Sequence, residues 1–93
     1  MNDGAARQVP GAELIEQGLR DLASGEETLA SLLVSIGAPR LRQLGFDLSR
    51  PIPSAEHRLY RLLSQSEPDA AHSRYNALLR RLVSFERAVA CGR

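Results

Sequence analysis

Apolar residues, leucine above all, return every three or four positions along most of this chain, and nowhere do they alternate with polar ones. An α-helix turns once every 3.6 residues, so that spacing gathers the apolar side chains on one face, whereas a half-buried strand needs a period of two. Ile15, Gly18, Leu19 and Leu22 stand at i, i+3, i+4 and i+7 and predict a helix over 12–24. Leu29, Leu32, Leu33 and Ile36 repeat the pattern, and Ala55, Leu59, Leu62 and Leu63 carry it again. Ala71, Tyr75, Leu78, Leu82, Phe85 and Val89 then step by fours and threes, widened by Leu79 and Val83. They predict the longest helix, over 68–90, with a span of about 35 Å. With few β-branched residues and no hairpin turn, the chain reads as all-α.

Glycine and proline divide these stretches. Pro10 and Gly11 introduce the first helix, and Gly18 on its apolar stripe lets another helix come close. Gly25 stops it. Glu26 and Glu27 are expected in the first turn of the second helix, where the helix dipole favours negative charge. Gly37 ends that helix, and Ala38-Pro39 opens a short third one to 44, before Gly45. Pro51 and Pro53 force the connector over 45–53 into an extended path, pinned by Phe46, Leu48 and Ile52. Ser54 is the expected N-cap of the fourth helix, with Glu56 in its first turn. Residues 1–9 are polar and aperiodic and read as a disordered tail. The expectation is a single helical domain over 10–93, a small bundle of four to five helices with a long C-terminal helix.

A chain of 93 residues is enough for one core and too short for two. Its 43% hydrophobic content separates it from disordered sequences, and with only Phe46, Phe85, Tyr60 and Tyr75 as aromatics the core must be built on leucine. Cys91 stands alone and forms no internal disulfide, residues 1–12 hold no apolar signal segment, and no apolar run approaches the ~18 residues of a membrane span. A reducing cytoplasm is the expected compartment. The charge is lopsided: residues 1–36 carry six acids against two arginines, a net of −4, and residues 37–93 carry ten arginines against five acids, a net of +5. All twelve basic residues are arginine. Arginine suits bidentate contact with carboxylate or phosphate.

Catalytic and cofactor chemistries find little here. His57, His72 and Cys91 lack the close spacing of metal ligands, so no metal is expected. Without lysine there is no Walker loop, no other glycine-rich phosphate loop exists, and no serine stands in a nucleophile elbow. No cofactor and no enzymatic activity are expected. Segments 57–63 and 72–79 each place a histidine and a tyrosine three apart beside arginines, a pattern that suits either a binding surface or a core stripe with solvated flanks.

Interest therefore falls on the last helix as a docking element. Leu82, Phe85 and Val89 would be its apolar anchors, with Arg74, Arg80, Arg81 and Arg87 at the rim. Glu86 falls inside the apolar stripe and needs an arginine, water or a partner to offset its burial. A second reading takes 26–45 as a helix-turn-helix outline binding DNA through Arg40 and Arg42, although Leu33 occupies a position that usually needs a small residue and Pro39 crowds the second helix. A homodimer pairing the acidic half with the basic half is a third.

Two stretches, LLVSIGAPRLRQLGF over 32–46 and AAHSRYNALLRRLVSFERAVA over 70–90, resemble small helical proteins of GC-rich bacteria, some of which accompany nucleotidyltransferase-type toxins. The resemblance covers about 40% of the chain. It implies an antitoxin that neutralises a toxin by binding it, and it assigns no individual residue a role.

Overall fold

Helix α2 (Leu29–Ile36) stands at the centre of the computed structural model, which describes residues 11–48 and 50–92, and the other helices of those residues pack around it. Six consecutive residues of α2, Ala30 through Ser35, are buried, so the helix is covered on every side. Around it lie α1 (Ala12–Ala23), α4 (Ala55–Ser66) and α5 (Ala71–Cys91), while α3 (Ala38–Gln43) follows α2 directly. No strand occurs among the described residues, and the architecture is the expected all-α bundle. The predicted tail over 1–9 lies outside the described residues.

The closest approach is at Gly18. A Cβ there would collide with the carbonyl oxygen of Ala30 and stand 2.8 Å from a Val34 methyl. Only the missing side chain lets α1 lie this near the backbone of α2. Helix α1 then ends in a Schellman turn: Gly25, at φ +79°, donates to the Leu22 carbonyl and Glu26 to that of Asp21. The end of α3 repeats the device, with Gly45 at φ +102° donating to Arg42 and Phe46 to Leu41.

Helix starts depart from expectation in three places. Helix α2 begins after Thr28, and Glu26 and Glu27 stay outside it. The Thr28 hydroxyl accepts from the Ser31 amide while the Ser31 hydroxyl accepts from the Thr28 amide, a capping box that satisfies two orphan donors at once. Thr28 also donates to the Asp21 carboxylate at 2.8 Å, tying the end of α1 to the start of α2. Ser54 holds the N-cap position of α4, but its backbone is left-handed (φ 54°) and its side chain caps nothing. Helix α5 begins at Ala71, because 68–70 form a turn in which Ala70 donates to the Glu67 carbonyl.

The connector is pinned as expected and more firmly. Leu48 is buried, Phe46 lies with its ring 5.6 Å from that of Phe85, and the Ile52 amide donates to the buried Ser35 hydroxyl at 2.9 Å. Ser35 donates in turn to the Ser31 carbonyl, so a polar side chain inside the core is fully used. At the surface, Arg58 of α4 clasps Glu27 through two bonds of 2.9 and 3.0 Å. That clasp holds the Glu27 carboxyl below its usual range.

Candidate functional site

Helix α5 runs about 32 Å, most of the 39 Å long dimension of the molecule, and only one of its faces is spent on the core. Ala71, Leu78, Leu82 and Phe85 form that face. Leu82 and Phe85 are each 4% exposed, so two of the three predicted docking anchors are core residues; α2 and the connector cover the stripe that periodicity alone left open. Val89, the third, is half-buried against the same cluster. The rotation of the helix places a second strip about a third of a turn away: His72, Asn76, Leu79, Val83 and Ala90, in steps of four, three, four and seven. Val83, at 43%, is exposed, and Leu79 is half-buried.

The predicted rim arginines divide. Arg74 reaches Glu67 at 3.4 Å, an exposed pair of small energetic worth. Arg80, Arg81 and Arg87 are exposed and pair with no carboxylate of the described residues. Arg80 and Arg87 border a shallow groove of about 430 Å³ floored by Leu79 and Val83, with Asn76 and Ser84 at its sides. The backbone at Arg81 lies against the start of α1, where Gly11, at φ +75°, brings the chain so near that a Cβ would stand 3.3 Å from the Arg81 carbonyl oxygen.

Glu86 sits where its place in the apolar stripe puts it, half-buried over the joint between α2 and α3. Its Oε2 lies 3.0 Å from where a Cβ on Gly37 would stand, alongside the Leu82 methyls. Burial pushes its carboxyl above the ordinary range, and the charge of Arg40 on α3 opposes that shift. The half-buried carboxylate is offset only in part by that charge.

The histidine–tyrosine repeats do converge. Tyr60 of α4 packs edge-on to Tyr75 of α5 at 5.4 Å and lies 6.5 Å from the His72 ring. Tyr75 belongs to the inner side, and burial, then the Glu56 carboxylate, raises its hydroxyl above its usual range. Tyr60 is 38% exposed. It and Val83 are the two exposed large hydrophobic residues among those described. Tyr60 abuts His72, and His72 and Val83, eleven residues apart, share a side of α5. His72 is held by its neighbour one turn on, Asn76, at 3.2 Å. This strip was missed in the sequence, where Leu79 and Val83 registered only as a widening of the inner stripe.

The helix-turn-helix outline takes a different form. Only Gly37 separates α2 from α3, where the motif has a turn of about three to four residues. Helix α3 is six residues long with Leu41 fully buried. Arg42 is engaged by the fold, donating twice to the Leu48 carbonyl at 2.6 and 3.1 Å, while Arg40 reaches Gln43 at 3.3 Å and stays exposed. Among the described residues no three histidine, cysteine or acidic groups gather as metal ligands, and no helix is long and apolar enough to cross a membrane. His57 lies beside Arg61 at 3.4 Å, and Cys91 is an exposed free thiol.

No protein-family model matches the chain, and no curated protein or solved structure aligns with it significantly.

Proposed function

We propose that this chain is a non-enzymatic protein-binding module of the bacterial cytoplasm, an antitoxin that neutralises a nucleotidyltransferase-type toxin by direct contact. The observation that supports binding is the strip on α5. Tyr60 and Val83 leave apolar surface in water on this side of the molecule, and Arg80 and Arg87 stand beside Val83 without acidic partners among the described residues. An apolar centre with an arginine border is the composition of a protein interface. The toxin as partner is supported by the resemblance of 32–46 and 70–90 alone.

The test uses the full chain expressed in its native host. Capture should return one protein in stoichiometric amount, identified as a nucleotidyltransferase-type toxin, and Val83→Asp should abolish its recovery. A stable monomer that recovers nothing overturns the reading, and capture that survives Val83→Asp removes α5 from the interface. Phe85→Asp would be uninformative, since a charge at that buried site attacks the fold itself.

A further inference from the structure

Resting on the protein-binding reading above, we propose that the outer strip of α5 takes one amphipathic helix of a different protein, and that carboxylates border the apolar face of that helix. Asn76, Val83 and Ala90 stand seven residues apart, with Leu79 between the first two, which is the spacing of a helix-packing seam. The seam extends from His72 to Ala90, about 27 Å, or five turns of an opposing helix. Asn76, already held by His72, supplies the polar group that sets register in such seams.

The border decides the partner's chemistry. Arg80 and Arg87 lie seven residues apart along one edge, where residues of a facing helix meet them at each second turn. Neither has a carboxylate partner among the described residues, although the fold pairs Arg58 and Arg74. The α5 of a second copy does not serve in the register that centres this seam. Laid antiparallel about the midpoint of Val83 and Ser84, two α5 helices would set Arg80 of each opposite Arg87 of the other, and like charges at such positions repel. Glutamate or aspartate on a different helix turns both contacts attractive. A nucleic-acid backbone fits less well, because Leu79, Val83 and Ala90 interrupt the basic residues and phosphates offer nothing to cover them.

The experiment measures anisotropy of two labelled synthetic peptides against the full chain. Both match the 21 residues of α5 in length and share one leucine–isoleucine seam, but one is bordered by glutamate and the other by lysine. The glutamate peptide is expected to bind at least about tenfold tighter, the scale of two charge contacts. Arg80→Glu combined with Arg87→Glu should invert the preference, while Arg50→Glu with Arg61→Glu, the same change in net charge elsewhere, should preserve it. Equal binding of the two peptides, binding of neither, a preference insensitive to Arg80 and Arg87, or tighter binding of a single-stranded oligonucleotide each overturns the inference. The protein-binding reading fails separately. Should native capture still be lost on Val83→Asp while the peptides show no charge preference, only the acidic partner is wrong.

Discussion

Helices α2 and α5 use the same residue types and end in opposite situations. In α2 an unbroken run of six residues is buried, serines included, and every other helix of the described residues packs against it. In α5, more than twice as long, four residues are buried and a parallel strip is left half in water. The contrast separates what holds the fold from what is available to another molecule. A short helix covered all round is costly to alter at any position, whereas a long helix touched on one side tolerates change on the other.

The sharpest way to break the first half of that contrast is Gly18→Ala. The new methyl would meet backbone of α2, which cannot move aside as a side-chain tip can. Overpacking of this kind costs about 3 kcal/mol, which lowers the melting temperature by more than about 10 °C in a domain of this size. Thermal unfolding of the variant checks it; a melting point within a degree or two of the parent would mean that α1 does not lie on α2 at this distance.

Ser35→Ala tests the same helix more gently. It removes the acceptor of the Ile52 amide and frees the connector, at an expected cost of about 1–2 kcal/mol. Hydrogen exchange should show the Ile52 amide losing protection selectively. Protection unchanged at that amide would place its acceptor elsewhere.

Val83→Ser addresses the other half. At 43% exposure the change should alter stability by less than about 0.5 kcal/mol. It should nonetheless weaken partner capture, which separates it from Leu82→Ala one position earlier. Leu82 is core, and its truncation should cost about 2–5 kcal/mol. Should the two variants destabilise alike, the division of α5 into inner and outer strips is wrong.

What the sequence made legible follows the same division. The helices, the close approach at Gly18 and the glycine stops at Gly25 and Gly45 are local, and spacing or backbone freedom reveals them. The assignment of Leu82 and Phe85 to a partner failed because periodicity tells which side chains share a face, not which neighbour covers it. Their cover comes from α2 and from Phe46 in the connector, far away in sequence. The Ser35–Ile52 bond, across seventeen residues, left no trace for the same reason. Glu26 and Glu27 were assigned to α2 by dipole preference, but the Thr28–Ser31 capping box satisfies specific amides and outweighs a diffuse field. The contact of Tyr60 with His72 needed the packing of α4 beside α5 before it could be recognised.

The smallest effect sharpens the border between the two helices, at Glu86, where α5 crosses the α2–α3 joint. Because burial raises its folded-state pKa, this carboxyl favours folding when protonated, and that contribution is lost as pH rises through the folded pKa. Glu27 has the opposite sign: its lowered pKa gives stability above the unfolded value that disappears in acid. Glu86→Gln should therefore raise the melting temperature slightly at pH 7, by less than any change above, with the gain vanishing below the ordinary glutamate pKa of about 4.3. Arg40→Ala should enlarge that gain, since it removes the charge that steadies ionised Glu86. Melting curves of the four combinations at pH 4 and pH 7 decide the matter. If Glu86→Gln instead destabilises at pH 7, the pull of Arg40 on the carboxylate outweighs its burial, and α3 is held to α5 by charge rather than in spite of it.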